Sequence, residues 1–274
     1  MKPVLTILGT RPEAIKLAPV VHRLREHADL EPVVCFTGQH APEMVDGILD
    51  LFAVRADIRL AALRHGQSLA QLTSALIAEI SPVYERIRPR AVLVQGDTTT
   101  CFVGALTAFY RRIPVAHVEG GLRTNDLSAP WPEEGNRQMV TRLCDLHFAP
   151  TKRAAEALYR ENIRPDRVVV TGNTVIDALL RVVSLNAADG IDALSALKPD
   201  RDARRRYLLV TLHRREVFGD AIRNMLAALA DIAGRHPELD IVLLNHTNPE
   251  VRAAIADTIA ADLANLWVMP RRHY

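Results

Sequence analysis

The stretch VLTILGTRPEAIKLAPVVHRLRE, Val4 to Glu26, decides the fold class. Its first five residues form a short apolar run, the pattern of a strand covered on both faces. Gly9-Thr10-Arg11-Pro12 interrupts the run, and from residue 14 to residue 26 apolar side chains return at helical spacing. A buried strand that passes within a few residues into an amphipathic helix is the repeating piece of a parallel sheet with helices on its faces.

The same succession recurs along the chain. Residues 32–37, 91–95, 114–118, 147–149 and 167–170 read as further strands, and residues 68–87, 100–110, 151–161 and 175–183 as helices. Between residues 184 and 205 the pattern lapses into Asn-Ala-Ala-Asp-Gly, Lys-Pro-Asp and a cluster of arginines, the best candidate for a linker. It then restarts with strands at 207–211, 241–245 and 266–269 and helices at 221–233 and 250–263. The expected organisation is α/β, with one doubly wound parallel-sheet domain over 1–183, a linker over 184–205, and the first part of a second such domain over 206–274. Three strands are fewer than an open sheet of this class usually holds.

Composition narrows the function. With 34 basic and 32 acidic residues the formal charge is +2, so no polyanion is expected and nucleic acid is disfavoured as a partner. Cys35, Cys101 and Cys144 lie far apart beside apolar runs, without CxxC spacing, and read as buried free thiols of a reducing compartment. The N-terminal apolar run is too short for a signal segment, and no stretch approaches the roughly 18 apolar residues of a membrane span. A cytoplasmic protein away from membranes is expected.

Polar residues of unusual type collect just after the strands. GTRPEAIK follows the first, GDTTT the one at 91–95, HVEGGLRTNDLSAPWPEEGNR begins at the end of the one at 114–118, TGNT follows 167–170, HRRE follows 207–211, and NHTNP closes the next. In open parallel sheets ligands bind beyond the carboxyl ends of the strands, so these loops point to one site. Pro12 presets a first helical turn, and Arg11 and Lys16 flank a helix N-terminus suited to an anion. Asp97 stands at a strand end as either a helix cap or a chemical carboxylate. The stretch from His117 to Arg137 shows neither helical nor strand periodicity, yet it gathers Glu119, Glu133 and Glu134. Such a cluster suits acid–base work; metal-ligand spacing is absent, and no metal is expected. His213 and Arg214 suit phosphate contacts. There is no dinucleotide fingerprint, Walker loop, Gly-x-Ser-x-Gly or Cys-His pair.

Taken in order, GTRPEAIK, TGQH, GDTTT, HVEGGLRT, PWPEEGNR, HFAPT, VTGNTVIDALL and HRRE resemble the motifs of the non-hydrolysing UDP-N-acetylglucosamine 2-epimerases, over essentially the whole chain. The resemblance implies two Rossmann-like domains of the glycosyltransferase B type. It implies interconversion of UDP-GlcNAc and UDP-ManNAc by elimination of UDP to 2-acetamidoglucal and re-addition, without a cofactor, for polysaccharide precursors. Matched motif to motif, Asp97, Glu119 and Glu133 correspond to the family's catalytic carboxylates and His213 to its essential histidine. Arg11, Lys16, Glu134, Arg137, Asn173 and Arg214 are expected to contact the UDP-sugar. Gln39 and His40 match a loop of the family's allosteric site, but Ala41-Pro42 replaces an Arg there, which argues against regulation by UDP-GlcNAc. Gly120 stands where the family usually has Ala.

The resemblance further implies a homodimer. Family members continue well beyond Tyr274 with further UDP-binding segments, so a C-terminally truncated, incomplete second sheet and little or no turnover are expected. Two other readings stay open from sequence: an inactive sugar-nucleotide-binding fragment, and a hydrolysing relative releasing ManNAc and UDP.

Overall fold

A computed structural model describes residues 2–64, 66–189, 205–212, 220–245, 248–259 and 263–269. His213 and Arg214 lie outside the described residues. The chain divides into two compact units, Met1–Asp189 and Gly190–Tyr274.

In the first unit, strands β1 (Lys2–Leu8), β2 (Leu30–Phe36), β3 (Ile58–Arg59), β4 (Ala91–Gln95), β5 (Val115–Val118), β6 (Leu146–Ala149) and β7 (Val168–Val170) form one sheet in the order β3-β2-β1-β4-β5-β6-β7. Every neighbouring pair is parallel. The connecting helices are α1 (Arg11–Arg25), α2 (Pro42–Leu51), α3 (Leu69–Ile87), α4 (Thr99–Tyr110), α5 (Glu133–Leu143), α6 (Lys152–Arg160) and α7 (Thr174–Asp189). The chain builds outward in one direction from β1 to β3 and then in the other from β4 to β7. The loops after β1 and β4 therefore diverge, leaving a crevice at the carboxyl ends where the order reverses.

Strand side chains alternate between two cores, as the pleat requires. Val4, Leu8, Val34, Phe36 and Val118 join Leu17, Val21, Ile48 and Ala178 of α1, α2 and α7. Leu5, Ile7, Cys35, Val92, Val94 and Val115 join Leu76, Ile80, Tyr84, Val103 and Val140 of α3, α4 and α5. Cys35, Cys101 and Cys144 are buried and free of disulfides.

Three differences from the sequence reading have physical causes. Residues 133–143 form a helix although no apolar period marks it, because the face it buries includes Glu134, Asn136 and Thr141 beside Val140. A 3.6-residue period written in polar side chains is invisible to hydropathy. Helix α7 runs past residue 183 to Asp189, into the expected linker; Ala178 is its buried anchor in the first core. Strand β7 is not covered on both faces: it is an edge strand, and Val169 and Val170 remain exposed. Helix α2 and the short β3 were not anticipated.

The second unit holds β8 (Tyr207–Thr211), α8 (Asp220–Arg235), β9 (Asp240–Leu244), α9 (Pro249–Thr258) and β10 (Leu266–Met269). The strands form a parallel sheet in the order β10-β9-β8. Leu226, Leu229, Ile241, Leu243, Val251 and Ile255 make its core. Tyr207, Leu208 and Leu209 of β8, which lies at one edge of this sheet, are exposed. Among the described residues no helix is long and apolar enough to cross a membrane.

Candidate active site

The turn after β1 enters α1 through a reciprocal cap. Thr10 Oγ1 accepts from the Glu13 amide, and Glu13 Oε2 accepts from the amides of Gly9 and Thr10 at 3.0 and 2.8 Å. Its other oxygen accepts from Thr98 Oγ1 at 2.7 Å, joining this loop to the one after β4. Glu13 is fully buried, and that desolvation raises its pKa to about 7 against the lowering effect of its donors. One turn further along α1, Lys16 Nζ meets Glu119 Oε2 at 2.5 Å. Lys16, expected beside the nucleotide, is thus ion-paired to a carboxylate. Arg11 opens the helix, and its amide donates to His40 Nδ1 at 3.3 Å.

Glu119 leaves β5 with φ 66°, a left-handed conformation that costs a non-glycine residue about 1 kcal/mol and is tolerated where surroundings hold it. Three side chains do so: Lys16, the Gln95 amide on the same oxygen, and Asn173 Nδ2, which donates to Oε1 at 2.7 Å. Asn173, from the TGNT turn, therefore meets Glu119 directly.

Asp97 occupies the turn between β4 and α4. Its carboxylate accepts from Arg137 at 2.8 Å (Nε) and 2.5 Å (Nη2), and its carbonyl accepts from Asn136 Nδ2 at 2.9 Å. Thr98 caps α4 by accepting from the Cys101 amide at 3.0 Å. Arg137 also reaches Glu134 Oε2 at 3.3 Å.

The two glutamates that open α5 differ. Glu134 is fully buried and accepts from the amides of Thr124 and Asn125, each at 3.1 Å, and from Gln138 Nε2 at 3.0 Å. Burial pushes its pKa up, but the donors outweigh it and hold the carboxyl below its ordinary value. Glu134 was expected to contact the UDP-sugar; here both its oxygens accept from the loop amides, Gln138 and Arg137, which ties the loop to α5. Glu133 makes no hydrogen bond or ion pair with the described residues and lines a cavity of about 390 Å³. Lys16, Gln95, Asp97, Glu119 and Arg137 line the same cavity, and so do Gln39 and His40. Gln39 Oε1 accepts from the Thr100 amide at 2.9 Å. His40 has a lowered pKa, from burial first and then from the charge of Arg11.

Behind the cavity, parallel pairing sets His117 of β5 beside His147 of β6. Both are buried, and desolvation lowers their pKa values to about 4 and about 3. His117 Nε2 donates to the Gly96 carbonyl at 2.8 Å. A Cβ at Gly120 would stand 3.2 Å from His117 Nδ1 and 3.4 Å from His147 Cβ. The loop after Glu119 is anchored by Arg123, whose Nε and Nη2 meet Glu161 at 2.6 and 3.1 Å.

Asp97, Glu119, Glu133, Lys16, Arg137, Gln39 and His40 are thus brought to one cavity, with Asn173 behind Glu119. Gln95, Asn136, Glu13 and Arg123 were missed as site residues. Gln95 carried a signal, being a polar residue closing an apolar strand, and Thr10-x-x-Glu13 carried the pattern of a capping box; Arg123 and Asn136 lay inside the quoted motifs without standing out. Among the described residues no group of three or more His, Cys, Asp or Glu side chains is arranged to hold a metal ion. In the second unit a larger depression of about 580 Å³ is lined mainly by apolar side chains such as Ile255, Ile259, Leu263 and Leu266. The cavity in the first unit presents several carboxylates and cations, whereas Arg252 is the one charged side chain among the described residues that line this depression.

Comparison with known proteins matches residues 22–271 to the family described as UDP-N-acetylglucosamine 2-epimerase. The chain is 47% identical over 273 residues to a UDP-N-acetylglucosamine 2-epimerase of Yersinia pestis, covering 99% of this chain and 72% of the relative. Its fold is similar to a crystal structure of UDP-GlcNAc 2-epimerase from Neisseria meningitidis bound to UDP-GlcNAc. The TM-score there is 0.88 and the identity 41%, over 99% of this chain and 73% of that one. A lipopolysaccharide outer core galactosyltransferase, WaaB, is similar in fold alone, with TM-score 0.53, 12% identity, and coverage of 99% of this chain and 68% of that one.

Proposed function

The chain belongs to the UDP-N-acetylglucosamine 2-epimerase family, and from that premise we propose that it interconverts UDP-GlcNAc and UDP-ManNAc without net hydrolysis. UDP is eliminated to leave 2-acetamidoglucal and is added back after the C2 proton has been returned on the opposite face. The product is a precursor for cell-surface polysaccharide.

The observation that carries this reading is the pairing of Glu133 and Glu119 on one cavity in different states of engagement. Glu133 has no partner among the described residues and is available to take or give a proton. Glu119 is held by Lys16, Gln95 and Asn173, so its direction is set before substrate arrives. Two such groups suit proton removal and return at C2. Asp97, oriented by Arg137, is the third carboxylate near the sugar. The helix N-terminus at Arg11 favours the diphosphate; by their match to the family motif, His213 is the essential histidine and Arg214 a contact to the UDP-sugar. The site needs no cofactor for this chemistry.

Incubation with UDP-GlcNAc followed by NMR of the products tests the reaction. UDP-ManNAc accumulating without equimolar free UDP supports it; ManNAc and UDP released in equal amounts would establish the hydrolysing reaction instead. Family membership also supports a homodimer, which sedimentation measures. The buried free thiols suit a cytoplasmic location.

A further inference from the structure

The turn Gly96-Asp97-Thr98 is gripped at three consecutive residues by three different elements. His117 of β5 donates to the Gly96 carbonyl at 2.8 Å, Asn136 of α5 to the Asp97 carbonyl at 2.9 Å, and Glu13 of α1 accepts from Thr98 Oγ1 at 2.7 Å. None of them touches the Asp97 carboxylate, which belongs to Arg137. Gly96 is buried with φ 72°, and its amide donates to the Val118 carbonyl at 3.0 Å. Both polar backbone groups of Gly96 are therefore used by β5.

His117 is 1% exposed and makes this single hydrogen bond; its Nδ1 has no hydrogen-bond partner. A carbonyl can only accept, so Nε2 carries the proton and the ring is the neutral Nε2–H tautomer. A buried imidazole that forgoes half its hydrogen bonding is a costly way to fill space, and an apolar side chain would fill it without that cost. What an apolar side chain cannot supply is the N–H donor to Gly96, whose carbonyl would then keep only the weaker contact from Cys101 Sγ at 3.4 Å among the described residues.

We propose that His117 is a positioning residue for the reaction: its Nε2–H fixes the Gly96 carbonyl and so sets the direction in which Asp97 leaves β4 toward the sugar. The proposal rests on the reading of Asp97 as a carboxylate that meets the UDP-sugar. Burial keeps the ring neutral near neutral pH. Gly120 leaves its Nδ1 side uncrowded, where a Cβ would press at 3.2 Å.

Two variants separate the donor from the packing. His117→Phe keeps a ring without the N–H, and His117→Gln places an amide N–H near the position of Nε2. His117→Phe is expected to lower kcat about 10- to 100-fold, in line with the cost of misplacing a reacting group by about 1 Å, with KM for UDP-GlcNAc within about threefold of wild type. His117→Gln is expected to recover most of that loss. Amide hydrogen exchange reads the turn without reference to turnover: the Gly96 amide should exchange at least about tenfold faster in the Phe variant and near the wild-type rate in the Gln variant. Unchanged kcat in the Phe variant would overturn the proposal, whatever the exchange rate. So would a Gln variant as impaired as the Phe variant. Wild-type chain without epimerase turnover, but with Gly96 exchange responding as described, would count against the epimerase reading and support the hold of His117 on the turn.

Discussion

The polar layer of the first unit has a side that faces the cavity and a side buried behind it, and the same residue types behave differently on the two. Glu133 and Glu134 are neighbours in sequence at the start of α5, yet one meets the cavity without a side-chain partner among the described residues while the other is enclosed by two amides, an arginine and a glutamine. Asp97 and Glu119 belong to the first side, and His117 and His147 to the second; Glu13, fully buried, sits where the two meet and touches the cavity from below. The contrast teaches that groups on the cavity side should act on rate, and groups behind it on stability and on the placement of the first.

The largest effect should come from the cavity side. Glu133→Gln and Glu119→Gln are each expected to lose about two decades of turnover or more, the usual contribution of a general acid–base group. The shift in thermal unfolding caused by saturating UDP should be unchanged in both. Loss of UDP protection together with turnover would erase the distinction between these carboxylates and a nucleotide site.

The buried side should instead answer to acid. His117 has a folded pKa of about 4, below its ordinary 6.5, so the unfolded chain takes up the proton first. Its contribution to stability is present above pH 6.5 and is lost as pH falls through 4, a change on the order of 3 kcal/mol. Glu13 works the other way: with its pKa raised from 4.5 to about 7, its contribution is full below pH 4.5 and is lost as pH rises through 7. Urea unfolding across this range, with wild type and His117→Phe, should show a flatter acid limb in the variant. Identical acid limbs would mean that the imidazole is not held neutral by burial.

Glu134→Ala comes next in size. It leaves two loop amides and Arg137 short of an acceptor, at a cost of about 2 kcal/mol read as a lower unfolding temperature. A variant as stable as wild type would show that the loop does not depend on the carboxylate. The smallest effect concerns Gly135, which sits in the same first turn and where a Cβ would meet nothing within 4 Å. Gly135→Ala should stabilise by about 0.5 kcal/mol through helix propensity, with unchanged kcat.

Much of this division was legible in sequence, and the remainder was hidden for definite reasons. The strand-loop-helix reading from Val4 to Glu26 anticipated β1 and α1, because two-sided burial and amphipathic spacing leave plain marks. Asp97, Glu119 and Glu133 stood out because carboxylates after buried strands are conspicuous. Helix α5 did not, since its inward face is built partly of Glu134, Asn136 and Thr141. Lys16 could be assigned to an anion but not to which one; only the fold brings it across 103 positions of sequence to Glu119. Nor could sequence separate Glu133 from Glu134, because the difference lies in amides supplied by Thr124 and Asn125 across the loop.

The central claim is that Glu119 and Glu133 move a proton at C2 of a UDP-sugar during elimination and re-addition of UDP. Turnover of UDP-GlcNAc in deuterium oxide, with the product read by NMR at C2, tests it most directly. The account predicts UDP-ManNAc carrying deuterium at C2, with exchange and epimerisation falling together in Glu133→Gln. Product formed with its C2 proton retained would contradict it.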